Sequence, residues 1–172
     1  MISIRKTISF SVGKGSLTHN RRDFIAQNVD PDRTQMNIEY CNENLEQVYH
    51  QMFDDALQGF NDKQKRADRK IKSYYDKIRT GKQEKLFHEV IVQIGNREDT
   101  NSKSADSEIA VRILDEYMKH FQERNPNLRI FSAHLHLDEE TPHLHIDFVP
   151  FVTNSKRGLD TRVSLKQALL SQ

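Results

Sequence analysis

Two short stretches of this chain carry residue types that could do chemistry together. His134-Leu135-His136 and His143-Leu144-His145 flank the segment Asp138-Glu139-Glu140-Thr141-Pro142. On strands, residues two apart point to the same face, so each pair presents both imidazoles together. The intervening residues are turn formers and suit a hairpin bend. Symmetric pairing of the arms sets His136 opposite His143 and His134 opposite His145. Such neighbours have Cβ atoms roughly 4.5–5.5 Å apart. Protonated imidazoles repel each other, so a cluster of this kind is organised by a metal or an acid. An open site of three imidazoles leaves positions for phosphate oxygens, which suits phosphodiester chemistry. A nucleophile is then needed. The residues alone leave His19, Ser16, Tyr40, Tyr49, Tyr74 and Tyr75 open.

The elements that must position these residues follow from periodicity. Phe131, Ala133, Leu135 and Leu137 on one arm, with Leu144, Ile146 and Phe148 on the other, form an apolar face for a core. Residues 2–12 alternate and predict a strand, broken by Gly13-Lys14-Gly15-Ser16. A short helix is expected over 17–26, a turn at Asp30-Pro31-Asp32-Arg33 and a strand over 34–41. From Leu45 the period becomes helical, through Val48, Tyr49, Met52, Phe53, Ala56, Leu57 and Phe60. Asn42 or Asn44 can cap it. Beyond Phe60 the helix either breaks near Gly59 or continues as a charged arm ending at Gly81. A strand is expected over 86–94, and a helix capped by Ser107 with apolar positions from Ala110 to Phe121. The histidine hairpin covers 128–150, a basic loop 153–162, and a last helix starts near Val163. The order β–β–α–β–α–β–β predicts an α+β fold. Its antiparallel sheet has helices packed on one face and the histidine site on the other.

Composition excludes several classes. At 172 residues the chain suits one domain, taken as 1–172, with no repeat or linker. One cysteine, Cys41, leaves no intrachain disulfide and points to a reducing, cytoplasmic setting. No signal peptide and no run of about 18–20 apolar residues is visible, so no membrane is expected. Net charge is +1, but its distribution is uneven. Residues 1–22 hold five bases and no acid, residues 39–62 six acids and no base, and residues 63–85 ten bases against three acids. Basic blocks of this density can line a phosphate path or form a solvated helix face.

His136-x-Asp138-Glu139-x-Thr141-Pro142-His143-x-His145 resembles the histidine motif of MobV-type plasmid relaxases (the Mob/Pre family). His19-Asn20-Arg21-Arg22 resembles that family's HNxR motif. Asp30-Pro31-Asp32-Arg33, Asn37, Arg157-Gly158-Leu159-Asp160 and Ser164-Leu165-Lys166-Gln167-Ala168 extend the likeness over nearly the whole chain. The resemblance implies an HUH endonuclease fold and a relaxase that nicks one strand of a plasmid transfer origin. It implies His19 as nucleophile, forming a phosphoramidate to the 5′ end before religation. Glu139 would accept a proton from His19 or orient it. Asn20, Arg21 and Arg22 would contact DNA, Arg22 through the backbone or scissile phosphate. His136, His143 and His145 would hold a divalent metal, Mn²⁺ rather than Mg²⁺ given three nitrogen ligands. The partner would be single-stranded or supercoiled origin DNA; oligomeric state is left open. Relatives usually continue into a longer C-terminal region, so Gln172 reads as the end of a catalytic domain.

One departure touches the nucleophile. The family places a tyrosine directly after the asparagine matched by Asn37, whereas here Ile38 follows and Tyr40 comes two later. This favours His19. The alternatives are a rolling-circle initiator or transposase-type nuclease using a tyrosine, and a metal-stabilised DNA-binding module without catalysis. His134 and Asp147 share the histidine face and are expected to support the site or contact DNA. Asp138 would orient a ligand or shape the turn. His50, His88 and His120 lie outside any motif and read as structural.

Overall fold

The computed structural model describes residues 6–96, 98, 100 and 105–171. At its centre are the two arms of the histidine hairpin, β4 (Leu128–His136) and β5 (His143–Val152). Three further antiparallel strands extend the sheet: β1 (Ile8–Val12), β2 (Ile38–Asn42) and β3 (His88–Ile94). Their order is β1-β3-β5-β4-β2, and a short β6 (Arg162–Val163) pairs with the end of β5. The histidine strands are therefore interior, with both edges hydrogen-bonded. That is the most rigid place in a sheet to mount ligands. Register matches the symmetric hairpin: His136 opposes His143 and His134 opposes His145.

The helix-covered face of this α+β fold lies opposite the imidazoles. Ala133, Leu135, Leu144 and Ile146 pack there against α4 (Ala105–Lys119), α5 (Phe121–Arg124) and α6 (Leu165–Leu170). Ala110, Leu114 and Met118 of α4 are buried in this core, in helical spacing. Each large side chain removed from water in this way contributes roughly 1.5–3 kcal/mol.

The helix over 45–60 behaves differently. It runs as α2 (Leu45–Asp62), capped by the Asn44 side chain, which accepts from the Gln47 amide. The chain then breaks, and α3 (Tyr74–Thr80) starts at Ser73 and stops at Gly81. No continuous charged arm forms. Both helices pack on the histidine face itself, at the end of the strands away from the imidazoles, over Phe131, Val149 and Leu159. A β-bulge between Ile130 and Ser132 permits this. The extra residue is Phe131, which leaves the predicted apolar face and enters the α2 cluster.

Other boundaries shift slightly. The 17–26 helix shrinks to α1 (Leu17–Asn20), and residues 34–36 form a 3₁₀ turn before β2. Ser107 lies inside α4, which begins earlier than its expected cap. The expected strand start at residues 2–5 lies outside the described residues. Among the described residues, no helix is long and apolar enough to cross a membrane.

Candidate active site

The imidazoles of His136, His143 and His145 converge, with ring centroids 4.8–5.3 Å apart. Each ring is oriented by a neighbour. His136 Nε2 lies 2.9 Å from the Asn20 carbonyl oxygen, so it carries the proton and donates. His143 Nδ1 is likewise 2.8 Å from the Thr141 carbonyl. His145 Nδ1 faces Glu89 Oε2 at 3.2 Å. His136 Nδ1 and both ring nitrogens of His145 are buried with no hydrogen-bond partner, the Glu89 contact at His145 Nδ1 being one of charge and proximity. Leaving such a nitrogen unpaired costs about 1–3 kcal/mol, and an ion removes that cost. Burial pushes the His136 imidazolium down to about 2 and lowers His143, so both rings stay neutral and hold lone pairs for a cation. The donors gather in two overlapping sets within 4.8 Å: His19, His136 and His145, and His136, Glu139 and His143. His136 belongs to both. Each set, of nitrogen and carboxylate donors, fits a divalent transition-metal ion, and His143 and His145 fall in different sets.

His19 arrives from α1. Its ring sits 5.9 Å from that of His136 and 6.2 Å from that of His145. Its Nε2 lies 3.3 Å from Glu139 Oε1 and 3.1 Å from Arg22 Nη1. As a lone pair this nitrogen accepts from Arg22; as an N–H it donates to Glu139.

The turn after α1 explains how Arg22 reaches this point. The amide of Arg22 donates to the His19 carbonyl and that of Asp23 to the Thr18 carbonyl. This is a Schellman turn, with Arg22 at the left-handed position, φ 59°, where glycine is usual. An L-residue there costs roughly 1–2 kcal/mol. What holds it is Asp138, 0% exposed, which accepts from Arg22 Nη2 at 2.6 Å and Arg22 Nε at 2.9 Å. Asp138 also accepts from Thr34 Oγ1 at 3.0 Å and Asn37 Nδ2 at 2.8 Å. Burial opposes the Asp138 carboxylate, but the bonds from Arg22, Asn37 and Thr34 outweigh it and hold its pKa below the ordinary range. Arg22 Nη2 further donates to Glu139 Oε1 at 2.7 Å, while Asn28 Nδ2 donates to Glu139 Oε2 at 2.8 Å.

The three residues expected to contact DNA therefore separate. Asn20 turns inward and is 2% exposed, with its side chain bound to Glu89 and Asp147. The Arg22 side chain is 7% exposed and engaged by two carboxylates. Arg21 stays on the surface beside Asp23. The burial is a tertiary effect: α1 is pressed onto the sheet with Asn20 and the Arg22 side chain on its inward side.

The tyrosines lie elsewhere. Tyr40 belongs to the helix-covered face, where its hydroxyl donates to Asp115 at 2.7 Å. Burial and that bond push its pKa upward, against formation of a phenolate. The Tyr49 hydroxyl donates to the Leu86 carbonyl, and the Tyr74 hydroxyl accepts from the Val163 amide. Tyr75 stacks edge-on against Tyr49. His134 is buried beside the site, 3.9 Å from Glu39. His50 and His120 make surface ion pairs, and His88 stacks on Phe148.

The model of one protein family, the plasmid recombination enzymes (Mob_Pre), matches residues 17–172. The chain belongs to the Mob_Pre family. No curated protein matches its sequence. Among solved structures, this Mob_Pre chain is similar to the MobM relaxase domain bound to 22 nucleotides of plasmid pMV158 oriT DNA, a Mn-bound crystal structure at pH 5.5. Identity is 23%, coverage 94% of this chain and 75% of that one, and the TM-score 0.54. A second MobM complex, carrying a 3′-thiophosphate, gives 23% identity, 95% and 76% coverage and a TM-score of 0.52. The likeness establishes a relaxase-like fold.

Glu89 is the main residue that motif reading passed over in this Mob_Pre site. A lone acid directly before the apolar run Val90-Ile91-Val92 was the available signal. Beside it opens a cleft of about 400 Å³ lined by Lys14, Arg79 and Lys85 among others. It adjoins a second of about 650 Å³ lined by Lys77, Lys82, Arg157 and Arg162; the two share Ile78, Gly81 and Glu84.

Proposed function

We propose that this Mob_Pre chain is a metal-dependent DNA relaxase that nicks one strand at a plasmid transfer origin. His19 is the nucleophile. Its Nε2 attacks the scissile phosphorus as its proton passes to Glu139, the bond from phosphorus to the 3′ oxygen breaks, and that oxygen leaves with the proton Glu139 returns. The product is a phosphoramidate joining His19 to the 5′ phosphate, and reversal by a 3′ hydroxyl religates the strand. Glu139 takes the proton from His19 Nε2 or orients the ring. Arg22 holds Glu139 and the imidazole in line. Arg21 contacts the DNA backbone from the surface. His136, His143 and His145 are the ligands of the metal, with Mn²⁺ favoured over Mg²⁺ by their nitrogen donors. Such a cation supplies polarisation of a phosphoryl oxygen and charge balance in the transition state.

The observation that carries this reading is the meeting of His19 Nε2 with Glu139 Oε1 at 3.3 Å beside three converging imidazoles. The MobM structures support it, since they are relaxase domains bound to oriT DNA and Mn. The test is nicking of a single-stranded origin oligonucleotide with and without Mn²⁺. His143→Ala is expected to abolish nicking while DNA affinity stays close to wild type. Equal loss of both would count against a catalytic metal.

The joined clefts give the DNA a path. Their cations, from Lys14 and Lys85 to Lys77 and Lys82, lie on a route leading away from Glu89. Replacing Lys77 and Lys82 together by alanine is expected to lower the salt dependence of binding by about 0.7–0.9 log units per lost phosphate contact. A slope equal to that of wild type would place the strand elsewhere.

A further inference from the structure

Beneath the imidazoles lies a buried polar assembly that the proposed chemistry has not used. Glu89 and Asp147 face each other in register on β3 and β5. Asn20 Nδ2 bridges them, 2.6 Å from Glu89 Oε2 and 3.1 Å from Asp147 Oδ2. The same Glu89 oxygen faces His145 Nδ1 at 3.2 Å, and the main-chain oxygen of Asn20 accepts from His136 Nε2 at 2.9 Å. One asparagine thus touches both arms of the problem: its carbonyl orients one imidazole, and its amide fixes the carboxylate that faces another.

The loop before α1 is shaped around this carboxylate. The Gly15 amide lies 3.4 Å from Glu89 Oε1. A Cβ at Gly13 would collide with the Glu89 carboxylate. A side chain at 13 would push the Glu89 carboxylate from this position, so the break after β1 forms a seat for Glu89.

We infer that Glu89, seated against Gly13 and clamped by Asn20, is a positioning residue that sets the tautomer of His145 in the candidate metal site, while the main-chain oxygen of the same Asn20 sets that of His136. Glu89 Oε2, 3.2 Å from His145 Nδ1, favours the proton on that nitrogen and so leaves the Nε2 lone pair for the site. The Asn20 carbonyl accepts from His136 Nε2–H and turns out its Nδ1 lone pair. Partners of this kind typically govern ligand affinity for metal by 10–100-fold. The assembly also ties α1, which carries His19, to the strands that carry the imidazoles. The inference rests on the metal reading above, but its orienting part is testable without metal.

The experiment uses the whole chain and two variants. Glu89→Gln keeps shape and removes the charge; Gly13→Ala keeps the charge and displaces the carboxylate. Histidine ¹⁵N spectra of the metal-free proteins report which ring nitrogen bears hydrogen, and calorimetric titration with Mn²⁺ reports affinity. In wild type, His145 is expected as the Nδ1–H tautomer and His136 as Nε2–H. In both variants the His145 preference should weaken, and Mn²⁺ affinity should fall by about 10–100-fold. Should Gly13→Ala not fold, Glu89→Gln decides alone. Unchanged tautomers with Mn²⁺ affinity within about twofold of wild type overturn the inference. A wild-type protein that binds no Mn²⁺, yet loses the His145 preference in the variants, refutes the metal reading and upholds the orienting role.

Discussion

His19→Ala is expected to abolish the covalent adduct with a single-stranded origin oligonucleotide and to slow nicking by at least about a thousandfold. Removing a nucleophile leaves only what binding and electrostatics supply, and groups that act as a unit lose nearly everything when one is removed. His19 is suited to the role because its Nε2 meets an acceptor, Glu139, and a donor, Arg22, at hydrogen-bonding range. The competing nucleophile is Tyr40, whose hydroxyl binds Asp115 on the helix-covered face of the sheet. Adduct formation should therefore survive Tyr40→Phe. The adduct itself identifies the atom, since a phosphorus–nitrogen bond is cleaved by acid that leaves a tyrosyl phosphodiester intact. An acid-stable adduct that persists in His19→Ala and disappears in Tyr40→Phe would assign the chain to the tyrosine nucleases instead.

The second large effect concerns stability. Asp138→Ala is expected to destabilise the fold by about 3–5 kcal/mol, because it leaves the buried Arg22 guanidinium without its main partner. Arg22 would then lose what holds it at positive φ, and Glu139 would lose its alignment with His19. The same carboxylate sets an acid limit. Its folded-state pKa lies below the unfolded value of about 3.9, so its contribution is complete above that value. It is lost as pH falls through the depressed folded pKa. Denaturant unfolding at neutral pH measures the first effect, and acid titration of wild type against variant the second. A variant with wild-type stability and a wild-type acid limit would show that the Arg22–Asp138 pair is dispensable. Nicking by that variant should fall with stability restored by low temperature, since alignment of His19 is lost independently.

These two residues mark the boundary of what one-dimensional reading could reach. Local order was largely legible, because strand alternation places His143 and His145 on one face and turn formers between the arms close a hairpin. The pairing of His136 with His143 follows from that geometry and is the register observed. The helical period from Leu45 and a cap at Asn42 or Asn44 were legible for the same reason, each being decided within a few residues; the structure selects Asn44, and Gly81 ends a separate helix, α3. The resemblance to the Mob/Pre motifs, rather than periodicity, implied that His19, Glu139 and the histidines belong to one site.

Long-range contacts decided the rest. Asn20 and Arg22 look like surface groups in sequence, yet the sheet buries both, and partners more than a hundred residues away set their roles. Phe131 changes face because a bulge adds one residue to β4, and a one-residue slip reverses every side chain beyond it. Glu89 reads as an oddity in an apolar strand until β3 pairs with β5 and sets it beside Asp147. Short-range periodicity sees the backbone's own preferences; which polar groups face each other across the sheet is settled only when distant strands pair and desolvate them together.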